Sequence, residues 1–279
     1  MTIFQAYNDT KKKLAAAGIE DYVFEAKEII KHITGFTNSQ ILADYTNELT
    51  EYQKNNLIAV VKQRKIRYPL QYIFGQWDFY GNKFYVGPGV LVPRADTEIL
   101  VDRCFEFLKD REQPFVLDLC AGSGCIGITI AKAIPRAEVK LVEKFDEAKR
   151  YAEKNILVNK VKNATVVTGD VLRGDLSDGK YDLIVSNPPY ISTEEMNIIS
   201  PETKFEPEAA LFGGEDGLDF YRAINKNYKN SLNSGGMMAF EVGINEFSAV
   251  SDIMKKAGFN NIGVIKDLNG IQRVVFGTL

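Results

Sequence analysis

A short motif with two prolines follows an apolar stretch in the second half of the chain. Residues 181–186 read YDLIVS and lead directly into Asn187-Pro188-Pro189-Tyr190. Two consecutive prolines fix φ and offer no backbone donor, so they end a strand and hold Asn187 at its carboxyl end. The Asn187 side-chain oxygen and the Pro188 carbonyl are both acceptors. Together they can grip one NH₂ group, and Tyr190 offers a flat face to a planar group; a rigid turn without chemistry is the alternative.

Such a pair of acceptors suits the methylation of an amide or aromatic amine nitrogen. The lone pair of such a nitrogen is delocalised, which makes it a poor nucleophile. Two acceptors favour the pyramidal, more positive nitrogen of the transition state over the planar ground state, which is differential binding. Holding the nitrogen in line with the methyl donor supplies the orientation. No strong base is required, which agrees with a sequence that contains one histidine.

A second motif lies upstream, in VLDLCAGSGCIGITIA (116–131). It predicts a strand, a glycine-rich turn and the start of a helix. Gly122 and Gly124 let the backbone approach a ligand closely, and the helix behind them begins with free N–H groups. Asp118 is predicted at the carboxyl end of the strand, where open α/β sheets bind ligands. Glu143 lies 19 residues beyond Gly124, at the end of the next predicted strand, where an acid can accept hydrogen bonds from both ribose hydroxyls.

The acid before the loop separates the possible ligands. Residues 122–127 match G-x-G-x-x-G, so a dinucleotide such as NAD is one candidate, and a turn that serves only packing is another. The Asp118 carboxylate would repel a pyrophosphate but suits the positively charged amino acid portion of S-adenosylmethionine. An oxidoreductase that uses NAD would also leave Asn-Pro-Pro-Tyr unexplained. We therefore expect S-adenosylmethionine as the cofactor.

The elements around these motifs predict an α/β fold. Strands alternate with helices from residue 115 onward, which indicates a doubly wound sheet covered on both faces. Predicted strands are 115–120, 139–143, 164–168, 181–186, 237–242, NIGVI and IQRVVFG, with helices near 124–134, 146–159, 217–230 and 246–257. Residues 1–67 carry helical periodicity and a capping-box pattern from Thr50 to Gln53, which predicts a small helical bundle. Residues 70–93 are rich in glycine and aromatics and predict a β-hairpin connection.

Together these motifs resemble the release-factor glutamine N5-methyltransferases (PrmC/HemK type), within the class I S-adenosylmethionine-dependent enzymes. The similar stretches are PLQYIFGQWDFYGNKFYVGPGVLVPRADTE (69–98), VLDLCAGSGCIGI (116–128), SNPPYI (186–191) and FEPEAALFGGEDGL (205–218). The resemblance implies a mostly parallel sheet of seven strands. It implies a helical substrate-docking domain at 1–68, a β-hairpin linker at 69–93 and a methyltransferase domain at 94–279. The implied substrate is the glutamine in the Gly-Gly-Gln loop of peptide-chain release factors, in translation termination.

The resemblance also implies roles for single residues. Besides Asp118, the implied cofactor contacts are Cys120, Ala121, Gly122, Ser123, Gly124, Glu143, Asp170, Val171 and Asn187. The substrate glutamine is implied to bind Asn187, Pro188, Pro189 and Tyr190, of which Asn187, Pro188 and Tyr190 are the expected catalytic residues. Two departures are visible, since many relatives have Gly-Thr in place of Cys120-Ala121 and a bulky aromatic near Val171. A smaller side chain at 171 would offer less area to adenine.

The composition and net charge of the chain help to decide between the possible functions that remain. The chain has 279 residues, of which 45% are hydrophobic and 25% charged, as in folded proteins. Its net charge is −3, with +2 in residues 1–72 and −5 in the rest. A DNA adenine N6-methyltransferase shares the chemistry, but it must flip a base out of a duplex and is expected to carry a basic recognition domain. We therefore favour a protein substrate. A non-catalytic regulator that binds S-adenosylmethionine is a third alternative, against which the intact Asn-Pro-Pro-Tyr argues.

The remaining features concern partners and compartment. Cys104, Cys120 and Cys125 form no CxxC pair, which indicates thiols in a reducing cytoplasm. The N-terminus reads as a helix rather than a signal peptide, and no stretch approaches about 20 apolar residues. We expect a cytoplasmic monomer with no metal, no membrane contact and no direct DNA contact.

Three further groups of residues have less specific patterns. Lys62, Arg64, Lys65 and Arg67 form a basic cluster, predicted to be a solvated face, with a release-factor contact as the alternative. Asp96 and Thr97 are predicted either to cap a helix or to help close the cofactor pocket. Glu206-Pro207 is predicted to cover the bound substrate.

Overall fold

A computed structural model describes residues 1–177 and 179–279. The chain forms two compact units, Met1–Gly75 with Ser200–Phe205, and Gln76–Ile199 with Glu206–Leu279. The predicted linker, 69–93, is shared between them, because its first residues belong to the helical unit and its hairpin to the other. The division into three domains at 1–68, 69–93 and 94–279 stays a prediction.

The first unit is helical. Its helices are α1 (Ile3–Ala16), α2 (Tyr22–Thr34), α3 (Asn38–Ala43), α4 (Glu51–Lys65) and α5 (Leu70–Phe74). At the start of α4 the Thr50 side chain accepts from the Gln53 backbone and the Gln53 side chain accepts from the Thr50 backbone. This reciprocal pair is the predicted capping box. Leu14, Ile29 and Ile30 are fully buried in the core of the unit.

One prediction for this region is wrong in part. The aromatic residues from 70 onward indicated strands, but α5 occupies Leu70–Phe74. Gly75, with φ 71°, ends it in the left-handed conformation that favours glycine. The predicted hairpin begins only after this glycine.

The basic cluster is not a uniform solvated face. Arg64 is 3% exposed, and its guanidinium donates to Glu25 Oε2 at 2.6 Å and to Glu202 Oε1 at 2.7 Å. Arg67 donates to Glu202 Oε2 at 2.9 Å. The prediction of a solvated or partner-contacting side chain is therefore wrong for Arg64, because two carboxylates compensate its burial inside the helical unit.

The second unit is built on β-strands. Strands β1 (Gln76–Phe79) and β2 (Asn82–Tyr85) form an antiparallel hairpin. The strands of the main sheet are β3 (Phe115–Leu119), β4 (Glu138–Glu143), β5 (Ala164–Thr168), β6 (Tyr181–Ser186), β7 (Leu232–Glu241), β8 (Asn260–Lys266) and β9 (Gln272–Thr278). Their order is β5-β4-β3-β6-β7-β9-β8. Within this sheet, as far as the structure describes it, only the pairs that include β9 are antiparallel, so the predicted mostly parallel sheet of seven strands is confirmed.

Helices cover both faces of this sheet, as the continuous apolar strands predict. They are α6 (Thr97–Leu108), α7 (Cys125–Ala133), α8 (Asp146–Val158), α10 (Asp219–Tyr228) and α11 (Phe247–Ala257). The short helix α9 (Thr193–Met196) follows β6 and has no buried residue. One core joins α6 and α7 to the sheet through Leu100, Ile128 and Val116. The other joins α10 to the opposite face through Tyr221 and Ile184. Among the helices of the described residues, none has both the length and the apolar character that crossing a membrane requires.

The strand register gathers the polar strand ends at one edge. Leu119 of β3 pairs with Val142 of β4 and with Ser186 of β6, and Ser186 pairs with Phe240 of β7. The residues in the next position of these four strands are Cys120, Glu143, Asn187 and Glu241. Because the four strands are parallel, these residues lie along the carboxyl edge, where open α/β sheets bind ligands.

Candidate active site

A cavity of about 680 Å³ lies at the carboxyl edge of the sheet. This volume is within the range of small-molecule sites, roughly 300–1,000 Å³. Of the predicted site residues, those that line it are Cys120, Ala121, Gly122, Ser123, Glu143, Asp170, Val171, Asn187 and Pro189. Asp118, Gly124, Pro188 and Tyr190 lie outside this lining. The structure thus brings both sequence motifs to one space.

The glycine loop takes a left-handed backbone at three positions. The φ angles are 57° at Cys120, 55° at Gly122 and 79° at Gly124. A Cβ at Gly122 would meet only Val90 Cγ2, at 3.9 Å, so this glycine borders open space. A Cβ at Gly124 would lie 2.7 Å from Ile128 Cδ1, so this glycine permits close packing. Cys120 holds a conformation that favours glycine.

Asp118 lies fully buried below the loop. Its Oδ2 accepts from Gly127 N at 2.9 Å, and its Oδ1 has no hydrogen-bond partner in the described part of the chain. Burial raises the pKa of Asp118 to about 7, the Gly127 bond opposes this rise, and the Glu143 charge adds to it. A buried oxygen without a partner requires an explanation, and a cationic ligand group would supply one. Direct contact with the cofactor stays a prediction.

Glu143 is held at the end of β4 by two backbone donors. Its Oε2 accepts from Gly122 N at 2.8 Å, and its Oε1 accepts from Phe145 N at 2.9 Å. The side chain lines the cavity and the residue is 7% exposed. Each carboxylate oxygen can accept a further hydrogen bond. The carboxylate is therefore fixed in place with room for two hydroxyl donors.

Asp170 and Val171 form the next part of the wall. Asp170 Oδ1 accepts from Leu172 N at 3.0 Å, and Oδ2 lies 3.0 Å from Lys144 Nζ. Burial raises the pKa of Asp170, but the bonds from Lys144 and Leu172 N outweigh it and hold the pKa below its ordinary value. Asp170 is therefore ionised at neutral pH, beside the apolar Val171 side chain.

Asn187 is linked by hydrogen bonds to Thr97 at the start of α6 and, through Thr97, to Glu241 of β7. Its Nδ2 lies 3.3 Å from Thr97 Oγ1, and Thr97 Oγ1 donates to Glu241 Oε2 at 2.5 Å. Burial raises the pKa of Glu241 to about 7, and the Thr97 bond opposes this rise. The sequence analysis named Thr97 only as a capping or pocket residue, and it missed Glu241. The available signal was an acid at the end of an apolar strand, the pattern that singled out Asp118 and Glu143.

The segment after Asn-Pro-Pro-Tyr returns to form another wall of the cavity. Ile191 N donates to Leu211 O at 2.8 Å, and Gly213 N donates to Ile191 O at 2.9 Å. A Cβ at Gly213 would lie 2.7 Å from Pro189 O, so glycine is required for this close approach. Glu206 is buried, accepts from Val92 N at 3.0 Å and pairs with Arg94. Pro207 lines the cavity beside it, and its role as a cover for the substrate stays a prediction.

Tyr190 is not among the residues that line the cavity. It packs against the core on the α10 face. Burial raises the pKa of its hydroxyl well above the ordinary value, and the Glu241 charge adds to this rise. Its predicted stacking on the substrate stays a prediction, as does the acceptor role of the Pro188 carbonyl.

Comparisons with known proteins show which sequences and folds this chain resembles. Family models for the Methyltransferase small domain and the PrmC N-terminal domain match residues 96–203 and 5–75. The release factor glutamine methyltransferase of Thermodesulfovibrio yellowstonii is 39% identical over 254 residues, covering 90% of each chain. That of Geobacter sulfurreducens is 36% identical over 279 residues, covering 100% of this chain and 97% of the relative. A solved methyltransferase structure from Pyrococcus furiosus shares the fold, with a TM-score of 0.53, 18% identity and coverage of 82% and 98%.

The sheet order, the glycine loop and the acidic strand ends define a class I methyltransferase with S-adenosylmethionine as its cofactor. The sequence identity of 36–39% extends over nearly the whole chain, so it identifies the family, which the fold alone does not. The chain belongs to the release factor glutamine methyltransferase family. The predicted class, cofactor and family are therefore confirmed.

Proposed function

We propose that this enzyme methylates the side-chain amide nitrogen N5 of the glutamine in the Gly-Gly-Gln motif of peptide-chain release factors. Asn187 carries the proposal, because it stands at the wall of the same cavity as the glycine loop and Glu143. Family membership supports the substrate, since the relatives are release factor glutamine methyltransferases. The enzyme would act as a cytoplasmic monomer, without direct contact to DNA.

One part of the cavity fits S-adenosylmethionine. The Glu143 carboxylate, held by Gly122 N and Phe145 N, would accept from the ribose hydroxyls. Val171 would contact the adenine, and the unpartnered Asp118 Oδ1 suits the ammonium group. The remaining cofactor contacts would come from the loop 120–124 and Asp170. When bound, this cofactor supplies an electrophilic methyl group on its sulfonium.

The substrate amide would be held by the Asn-Pro-Pro-Tyr turn. Asn187 Oδ1 and the Pro188 carbonyl would accept from the two N–H bonds of the glutamine amide. The prolines hold these acceptors rigidly, so the nitrogen is oriented without further loss of freedom. Both acceptors stabilise the positive nitrogen more than the neutral amide. The charged product nitrogen then loses its proton to solvent, and no side chain of this enzyme has to act as a strong base.

The helical domain, residues 1–68, would dock the release factor. The match to the PrmC N-terminal domain, residues 5–75, supports this role. Val23 and Phe24 of α2 are 50% and 53% exposed, and aromatic side chains are enriched in protein interfaces. The pairing of Arg64 and Arg67 with Glu202 removes two charges from the surface that a nucleic acid would use. A protein partner therefore fits this unit better than a DNA duplex does.

The test uses S-adenosylmethionine labelled in the methyl group. Purified enzyme is incubated with a release factor, with the same factor carrying alanine in place of the Gly-Gly-Gln glutamine, and with double-stranded DNA. We expect label in the first sample alone, and none when Asn187→Ala replaces the wild-type enzyme. Label in DNA but not in the release factor would overturn the proposal in favour of adenine methylation. Equal label in the glutamine-free factor would overturn the assigned position.

A further inference from the structure

We propose that Thr97 and Glu241 are positioning residues that decide which atom of the Asn187 amide faces the substrate. The inference rests on the proposed function, in which Asn187 Oδ1 accepts from the substrate amide. Neither residue needs to touch the reacting atoms. They would act through the orientation of one side chain.

The strand register and one helix start bring the three residues together. Ser186 pairs with Phe240, so Asn187 and Glu241 occupy the next position on neighbouring parallel strands. Thr97 is the first residue of α6, and its hydroxyl lies between them, 3.3 Å from Asn187 Nδ2 and 2.5 Å from Glu241 Oε2. Thr97 and Glu241 are 1% and 2% exposed. The bond between Thr97 and Glu241 is therefore shielded from water, while Asn187 lines the cavity.

The single hydrogen of the Thr97 hydroxyl fixes the direction of the hydrogen bonds that link Asn187, Thr97 and Glu241. A threonine hydroxyl has one hydrogen, and an ionised Glu241 can only accept it. Thr97 Oγ1 is then an acceptor toward Asn187, which must present its NH₂ group to Thr97. The Asn187 Oδ1 atom is left for the substrate. If the Thr97 hydroxyl were free to rotate, it could donate to Asn187 Oδ1 instead. The Asn187 amide would then be turned over and would present its NH₂ group, a donor, to the NH₂ group of the substrate.

Helix capping does not account for the Thr97 hydroxyl. The N-cap residue of α6 is Asp96, and its side chain makes no capping hydrogen bond. The Thr97 hydroxyl bonds to the Glu241 carboxylate rather than to the helix backbone. The predicted capping role is therefore wrong for both side chains, and the hydroxyl is free for the role proposed here.

The protonation of Glu241 supplies an independent readout. Burial raises its pKa to about 7, and the Thr97 bond opposes this rise. The charge of Asp96 also raises the pKa, while those of Arg273 and Arg94 lower it. The remaining titratable groups that sense its charge are the buried Cys125 and Tyr221 and the partly buried Tyr190. Below about pH 7 a protonated Glu241 can donate to Thr97 Oγ1, which frees the threonine hydrogen to bond Asn187 Oδ1.

The closing experiment compares one substitution at two buried threonines. Thr129 is 2% exposed and its Oγ1 has no hydrogen-bond partner in the described part of the chain, so Thr129→Val is the matched control. We expect Thr97→Val to lower kcat toward release factor by about 100-fold, the loss that misplacement of a reacting group can cause. KM for the release factor and Kd for S-adenosylmethionine should stay within about twofold. Thr97→Ser keeps the hydroxyl and should restore kcat, and Thr129→Val should leave it unchanged.

Two further measurements separate positioning from structural damage. In the wild type, kcat at saturating cofactor and substrate should fall as the pH drops through about 7, and Thr97→Val should abolish this fall. Glu241→Gln offers Thr97 a donor and should lower kcat as Thr97→Val does, with no further loss in the double variant, because both act through Asn187.

The outcomes distinguish the two proposals. Wild-type label in release factor together with an unchanged kcat in Thr97→Val would overturn the positioning role and leave the proposed function standing. Additive losses in the double variant would also overturn it. Absence of wild-type label in release factor would overturn the proposed function, and the positioning role would fall with it.

Discussion

The two units of the molecule place buried charge in opposite ways. In the described part of the helical unit the buried polar residues are Thr10 and Arg64, and Arg64 is paired with Glu25 and Glu202. In the other unit the buried carboxylates are Asp118, Glu143, Glu206 and Glu241. Each of these four either lines the cavity or contacts a residue close to it. Buried charge joins helices in the first unit and prepares a ligand site in the second.

The pKa of Glu202 in the helical unit and the pKa values of Asp118 and Glu241 in the other unit are shifted in opposite directions. Burial raises the pKa of Glu202, but the bonds from Arg64 and Arg67 outweigh it and hold the pKa below its ordinary value. Burial raises the pKa of both Asp118 and Glu241 to about 7, since neither has a cation in direct contact. An acid kept buried without a cation is destabilising, and such groups cluster at functional sites. The comparison predicts that changes to the buried carboxylates of the catalytic unit alter ligand binding and turnover, whereas changes to the buried ion pairs of the helical unit alter stability.

The largest effect is expected for Asn187→Ala. This change removes one of the two acceptors for the substrate amide, and the loss should be about 1,000-fold in kcat, the upper range for deleting one preorganised hydrogen-bonding group. Cofactor affinity, measured by calorimetry, should stay within about threefold because Glu143 and the glycine loop remain. Retained turnover would contradict the mechanism with two acceptors.

The next effect is expected for Glu143→Ala. Two charge-assisted hydrogen bonds to the ribose would be lost, which should weaken S-adenosylmethionine binding by about 100-fold in calorimetry. Glu202→Ala is the control, because it removes a partly buried, hydrogen-bonded carboxylate from the helical unit and should leave this Kd unchanged. Equal Kd values for wild type and Glu143→Ala would refute the ribose assignment, and a loss with Glu202→Ala would break the division between the units.

Much of the catalytic unit could be predicted from the sequence, because its signals are local. The alternation of apolar strands and helices gave the sheet, and the acids at the strand ends gave Asp118 and Glu143. The register of parallel strands then explains why both motifs meet at one edge. Glu241 shows the limit of this reasoning. It carries the same local signal, but its partner Thr97, and Asn187, which bonds Thr97 in turn, lie far away in sequence, and only the fold brings them together.

Two other failures have different physical causes. The helix Leu70–Phe74 lies in a segment of aromatic residues whose strand propensity depends on context, and tertiary packing overrides it. Arg64 lies in a basic run that resembles a solvated face. It is buried because Glu25 and Glu202, at distant sequence positions, supply its counter-charges. No pattern within four residues of Arg64 contains that information.

The third prediction concerns the stability of the helical unit. Arg64→Met keeps the apolar stem but leaves Glu25 and Glu202 without their shared cation. The free energy of unfolding should fall by about 2 kcal/mol, less than the about 3–5 kcal/mol of a fully buried pair, because both carboxylates keep some contact with water. Urea unfolding measures this loss, and Lys62→Met, at an exposed position of the same helix, is the control. A change in cofactor Kd with unchanged stability would reverse the assignment of this cluster.

The smallest effect is the pH dependence of cofactor affinity through Asp118. Its pKa is about 7. The carboxyl is therefore mostly neutral at about pH 6 and mostly ionised at about pH 8, each of which lies about one unit from the pKa. Only the ionised form attracts the ammonium group, so affinity should rise with pH across this window, by about tenfold at most.

The raised pKa of Asp118 also determines whether the stability of the folded enzyme rises or falls with pH. Because the folded state binds more protons than the unfolded state between about pH 4 and about pH 7, Asp118 lowers the stability of the free enzyme as pH rises through this window. Asp118→Asn keeps an acceptor for Gly127 N and should flatten both pH dependences. Glu246→Gln is the control, since burial also raises the pKa of Glu246 to about 7 but that carboxylate accepts from Gly243 N and Tyr221 rather than from the helix behind the glycine loop. If Glu246→Gln flattened the affinity profile and Asp118→Asn did not, the orphaned oxygen of Asp118 would have no role in holding the cofactor.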